Sequence, residues 1–145
     1  MHPTAATFLA MSSEQQRAVH LRLLDHALAI WRQYFSAVAK PTYIESVAGT
    51  TQELDVRLPS EALAAIHEQR DQANIAARYR EPIVSLRDSD LVLPESAEFA
   101  YYAVYNAFCL YVVGRKIDPW TIVNQVLSAV GEEQAISVLD AAVNG

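Results

Sequence analysis

Cysteine is nearly absent: Cys109 is the only one in 145 residues. One thiol cannot close an intrachain disulfide or supply a multi-cysteine zinc site. Glycine (4) and proline (6) are scarce, which excludes collagen-like and linker-like composition. Basic residues are outnumbered, 11 Lys+Arg against 17 Asp+Glu, for a net charge of −6. Nucleic acid is therefore not the expected main partner, because phosphate binding is driven by Lys and Arg. Long apolar runs are missing as well. The longest, residues 99–113 (FAYYAVYNAFCLYVV), is interrupted by Asn106 and falls short of the roughly 20 residues that span a bilayer. Residues 1–11 hold no Lys or Arg, and their apolar stretch, FLAM, is too short for a secretory leader. A soluble, cytoplasmic chain with no membrane partner is the expectation. There is no G-x-S-x-G elbow, no G-x-x-x-x-G-K phosphate loop and no H-E-x-x-H zinc helix.

What is present is a core. Hydrophobic residues make up 52% and charged residues 19% of the chain. A folded monomer of 16.1 kDa should expose roughly 7,400 Å² of the ~23,000 Å² offered by the extended chain. The expectation is a flexible tail over 1–11 and one mainly α domain of four to five helices over 12–145. At most one small β-hairpin or short strand is expected, in the 52–93 region.

The first helix should begin near Ser12 or Ser13, where Ser13 and Gln16 fit a capping box, and end near Lys40, ahead of Pro41. Its apolar stripe is Leu21, Leu24, Leu28, Trp31, Phe35 and Val38. Leu54, Val56 and Leu58 alternate, which suggests a short strand or an extended linker. Ser60 would cap a second, peripheral helix running to about Arg80, its thin apolar face made by Leu63, Ile66, Ala73 and Ala77. Residues 83–86 and 91–93 could form a hairpin. A third helix spans about 96–113 and ends at Gly114, where glycine suits a left-handed cap. Asp118-Pro119 pairs an N-cap with proline at N1 and opens a fourth helix, which runs to Val130. Gly131 separates it from a last helix whose inward residues should be Ile136, Leu139 and Ala142.

No residue set points to catalysis. His67 and Asp71 share a helix face but lack a third ligand, and His20 and His26 face apart by roughly 120°. Cys109 is surrounded by apolar neighbours, which suits an inert buried thiol. Asn106 should be a structural tie to backbone or a tyrosine. No cofactor and no metal are expected. The distinctive pattern is tyrosines near acids. Tyr101 and Tyr105 share a face of the third helix, Asp88 and Asp90 precede it, and Glu45, Glu53 and Asp55 lie in the segment 41–59 between the first two helices. Carboxylates around aromatic rings suit a basic protein partner, since opposite charge speeds encounter.

The segment AEFAYYAVYNAFCLYVVGRKIDPWTIVNQVLSAVGEEQ (97–134), an Ala- and aromatic-rich helix followed by a turn and a second helix, resembles the small acidic helical immunity proteins of bacterial toxin–immunity pairs, such as those of contact-dependent inhibition and type VI secretion. The resemblance implies binding to one cognate toxin domain, often a basic nuclease, with inhibition by covering its active site or an exosite. The function expected is thus a non-enzymatic toxin inhibitor. Its partner contacts would be Glu45, Glu53, Asp55, Asp88, Asp90, Tyr101 and Tyr105. A secretion chaperone holding an effector segment, and a small helical enzyme or ligand-binding domain with a pocket around Asn106, are the alternatives.

Overall fold

Gly114, Asp118-Pro119 and Gly131 each mark a helix end, as their residue types signal. The computed structural model describes residues 2–35, 41–45, 48–70, 73–88 and 91–145. In chain order the elements are α1 (Pro3–Leu9), α2 (Ser13–Tyr34), β1 (Thr42–Ile44), β2 (Thr51–Glu53), α3 (Leu58–Glu68), α4 (Ala73–Arg87), α5 (Glu95–Phe108), a π-helical turn (Cys109–Val113), α6 (Pro119–Val130) and α7 (Glu132–Asn144). The chain is mainly helical, as expected, but seven α-helices among the described residues exceed the four to five anticipated.

Two of the additional helices have identifiable causes. Residues 3–9, expected as flexible tail, form α1. The His2 imidazole caps the Thr4 amide at 3.2 Å, and Pro3 occupies N1. Phe8 is fully buried against His20 and Trp120, with ring centroids 5.4 and 6.1 Å apart. The Thr4 hydroxyl donates to Asp140 on α7. A seven-residue helix does not persist alone in water. Burial of Phe8, worth roughly 2–3 kcal/mol, holds it down. The second cause is a break in the helix expected over 60–80. Gln69 adopts a left-handed φ of 54°, ending α3. The restart shifts the helical phase, so that Ile75 and Tyr79 turn inward while Ala77 is exposed.

The β element also differs from expectation. The antiparallel hairpin pairs Thr42 with Glu53, Tyr43 with Gln52 and Ile44 with Thr51, so only Gln52 and Glu53 of it fall within 52–93. Residues 83–86 are helical within α4, which runs through Pro82. Proline there withholds the bond normally made to the Arg78 carbonyl. The buried face of Ile75, Tyr79, Pro82 and Leu86 supplies the compensating packing. Smaller shifts are local. The capping box of α2 is Ser12–Gln15, one residue earlier than expected. Helix α2 stops at Tyr34, and residues 36–40 lie outside the described residues. In α7 the inward residues are Val138, Leu139 and Ala142, while Ile136 is exposed.

Helix α5 lies at the centre of the buried cluster, packed against α2, α3 and α6. Ala97, Ala100, Ala103 and Ala107 are all buried and let those neighbours approach. Beyond α5 the π turn ends at Gly114, φ 88°, where the amides of Gly114 and Arg115 both donate to the Cys109 carbonyl at 2.9 Å. Asp118 then caps α6 by accepting from the Trp120 amide at 2.9 Å.

His20, on α2, ties this end together. Its Nε2 is 2.9 Å from the Pro119 carbonyl, which can only accept, so the hydrogen resides on Nε2. Nδ1 therefore accepts from the Tyr111 hydroxyl, at 2.5 Å. Both nitrogens are satisfied in the neutral ring. Burial lowers the His20 pKa to about 4, only partly offset by the bond to Pro119. The Arg17 guanidinium lies over the ring of Tyr111, 5.7 Å from its centroid.

Two predictions follow from this packing. Phe8→Ala should cost about 3–4 kcal/mol in urea unfolding; an unchanged midpoint would mean that α1 is not docked. The second concerns pH. Below about 6.5 the unfolded chain protonates His20 while the folded one does not until about pH 4. Stability should therefore be full above pH 6.5 and fall by about 3 kcal/mol as pH drops to 4. His20→Gln should flatten that slope, read from unfolding midpoints at pH 7 and 4.5 after comparison with the parent chain.

Candidate functional site

The hairpin and α4 form the two walls of a cleft of about 350 Å³. Local bonds shape the hairpin wall. The Glu45 amide donates to the Thr50 carbonyl at 2.9 Å, and the Gly49 amide to the Glu45 carbonyl at 2.8 Å. Gly49, with φ 68°, makes this tight reversal without a Cβ penalty. The Leu54 amide closes the other end on the Pro41 carbonyl at 2.8 Å, and the Leu54 side chain is buried. The Ser85 hydroxyl of α4 donates to the Ile44 carbonyl at 3.3 Å, joining the walls.

Charge is concentrated here. Among the described residues, Glu45, Glu53, Asp55 and Glu81 line the cleft together with the cation Arg78. Arg78 donates to Asp55 at 3.0 Å and to Glu61 at 2.7 Å. Burial works against ionisation of Asp55, but hydrogen bonds from Arg57 and the charges of Arg57 and Arg78 outweigh it and hold the carboxyl below its usual range. Tyr43 stands among these groups, half-buried. Its phenol is pushed up first by burial and then by Glu81 and Glu45. Around one aromatic side chain the cleft is thus a negative, fixed surface.

Behind the cleft runs a stack of rings. Trp31 lies 5.0 Å from Tyr101, Tyr101 4.6 Å from Tyr79, and Tyr79 5.1 Å from Tyr105. Trp31 Nε1 donates to the Val56 carbonyl at 2.7 Å, and so anchors the chain beside Asp55. The hydroxyls of Tyr79 and Tyr101 are buried and have no hydrogen-bond partner among the described residues. Burial is the main reason that both phenols lie well above their ordinary range.

Of the seven residues expected to contact a partner, Glu45, Glu53 and Asp55 meet in this cleft. Asp88 is exposed at the end of α4, about two turns beyond Glu81, and pairs with Arg87 at 3.3 Å. Asp90 lies outside the described residues. Tyr101 is a correction. It is fully buried and offers no contact surface, because α5 is enclosed on the side that residue faces. Tyr105 is half-buried, and its hydroxyl accepts from Arg115 at 3.2 Å, away from the cleft lining. The sequence reading passed over Tyr43, Arg78 and Glu81. Arg78 and Glu81 sit three apart on α4, a spacing that places both on one face, but the face becomes meaningful only once the hairpin covers it.

Other candidates resolve into structural roles. Asn106 donates to the Gln125 side chain at 2.9 Å, a tie between α5 and α6 with a partner different from the one expected. Cys109 is buried, and burial raises its pKa against the nearby Arg115. His67 is exposed, and Asp71 lies outside the described residues. Among the described residues no group of three or more His, Cys, Asp and Glu is placed to hold a metal ion, and no helix is long and apolar enough to cross a membrane. Set against protein families, curated proteins and solved structures, the chain has no match.

The unpaired hydroxyls generate a prediction. A buried hydroxyl without a partner costs about 1–3 kcal/mol, so its removal should not weaken the fold. Tyr79→Phe should leave the urea midpoint unchanged or raise it. A clear loss of stability would show that the hydroxyl is bonded in solution.

Proposed function

We propose that the chain is a non-enzymatic inhibitor of the immunity type, which binds a basic toxin domain through the cleft between the hairpin and α4. The observation that carries this reading is the gathering of Glu45, Glu53, Asp55 and Glu81 around Tyr43 at a single surface. Acidic groups outnumber basic ones in the described lining, and such an excess would steer a positively charged partner. If the partner is a nuclease, a carboxylate-rich rim would occupy the groove that otherwise receives phosphates. The inhibitor needs no reactive group for this. It needs only rigid walls, and these are supplied by the hairpin bonds and by α4, which Tyr79 anchors in the ring stack.

Rescue from a toxin is the test. A basic domain that co-purifies with the protein and arrests growth when expressed alone should be neutralised by co-expression of the chain. Glu45→Lys with Glu53→Lys should weaken binding of the purified domain at least tenfold, flatten its salt dependence and abolish rescue. Asp88→Lys, outside the cleft, should change affinity less than threefold. Full rescue by the double variant, with unchanged affinity, would sink the proposal.

A further inference from the structure

We propose that α1 is a detachable strap, latched by the ring of Phe8 over His20 and released when that imidazole takes up a proton, while α2 to α7 stay folded. The proposal stands apart from the cleft and from the inhibitor reading.

Helix α1 can leave without damage to the helix that follows it. Ala10 and Met11 separate it from Ser12, which closes the capping box of α2 with Gln15. The first turn of α2 is thus satisfied from within α2. Phe8 is the only large side chain of α1 that is buried; Ala5 is buried as well, and Leu9 is exposed. The other ties are part-buried polar bonds. The Thr4 hydroxyl donates to Asp140, and the Gln16 side chain donates to the Phe8 carbonyl at 3.1 Å. Seven residues do not hold a helix alone in water, so α1 is ordered only while Phe8 is seated.

Protonation changes that seat. In the neutral ring of His20, Nε2 donates to the Pro119 carbonyl and Nδ1 accepts from the Tyr111 hydroxyl. An added proton makes Nδ1 a donor. The Tyr111 hydroxyl must then turn to accept, and its own hydrogen loses its partner. The new charge also finds no counter-ion among the described residues. Helix α1 carries no charged side chain, and His2 at its start caps the Thr4 amide. From α2 comes Arg17, a cation, over the Tyr111 ring. Past the π turn, Arg115 and Lys116 are cations too. Asp118 of α6 is held on the Trp120 amide, and Asp140 of α7 is taken by Thr4. The acids of α5, Glu95 and Glu98, lie in its first turn, at the far end from Tyr111. None of these carboxylates is bonded to the imidazole, so burial opposes its charging without an ionic offset. A buried, unpaired cation is relieved by access to water. The cover that lifts most readily is Phe8, whose ring sits 5.4 Å from the imidazole on a seven-residue helix.

The test is amide hydrogen exchange of the full ¹⁵N-labelled chain, with rates corrected for the intrinsic effect of pH. The amides of Ala6 and Ala10 are bonded within α1, to the His2 and Ala6 carbonyls. They should be at least about a hundredfold less protected than those of Val104 and Ala107 in α5, with only a slight dependence on urea, because lifting α1 exposes little surface. Opening of α1 should grow roughly tenfold for each unit that pH falls between about 6.5 and about 4, as uptake of one proton requires. His20→Gln keeps a donor and an acceptor without titrating and should make the opening independent of pH. His2→Asn keeps a cap on the Thr4 amide, and Thr4→Val cuts the tie to Asp140. Both should leave the slope in place, which excludes His2 and Asp140 as its source, and Thr4→Val should raise the opening by the same factor, about threefold or more, at every pH. Should His20→Gln fail to fold, these two variants decide. Equal protection and equal urea dependence in α1 and α5, an opening that ignores pH in the parent chain, a slope that survives in His20→Gln, or one that vanishes in His2→Asn or Thr4→Val would each overturn the strap.

Discussion

Helix α5 is enclosed by α2, α3 and α6, and that enclosure is possible only because its contact positions are small. Ala97, Ala100, Ala103 and Ala107 let three helices approach one axis, while Tyr101, Val104 and Phe108 fill the wider spaces between them. Interiors are close-packed, so a larger residue at any of these alanines would push a neighbouring helix away. The positions of α2 and α3 depend on this, and with them the ring stack and the cleft.

The stack transmits the geometry of the core to the surface. Tyr101 on α5 meets Tyr79 on α4 and Trp31 on α2, and Trp31 bonds the chain at Val56. Helix α4 is thereby oriented with Arg78 and Glu81 toward the hairpin. Residues 54–57 are held so that Asp55 faces Arg78. The hairpin itself contributes little burial, since all of β2 is exposed. Its place is set by the hydrogen bond from Ser85 to Ile44 and by the buried Leu54.

Polar groups inside the core fall into two contrasting kinds. His20 has both ring nitrogens satisfied and links α2, the π turn and the start of α6. Such a group rigidifies its surroundings as long as it remains neutral. Tyr79 and Tyr101 bury hydroxyls without partners. The His20 end of the bundle is therefore locked, while the stack of rings retains hydrogen-bonding capacity.

Much of the helical framework was legible in the residues. Asp118-Pro119, Gly114 and Gly131 mark ends where backbone groups must be satisfied within a turn; α6 and α7 begin and end near the expected places, while α5 begins where expected but gives way at Cys109 to the π turn that runs to Gly114. Helix α1, the break at Gln69 and the hairpin at 42–53 were not legible. Phe8 looks like part of a tail until it meets Trp120, and Tyr79 looks misplaced until the phase shift turns it inward. The acids of the cleft were readable as acids, but their grouping was not. Asp55 and Arg78 are 23 residues apart, and Ile44 and Ser85 are 41 apart. The sequence by itself determined mainly α structure, a negative charge and the strongest helix ends, because those depend on composition and on bonds within four residues. Tertiary structure alone decided which acids share a surface and which tyrosines are enclosed in the core, because distant segments come together only when the alanine-lined helix is buried.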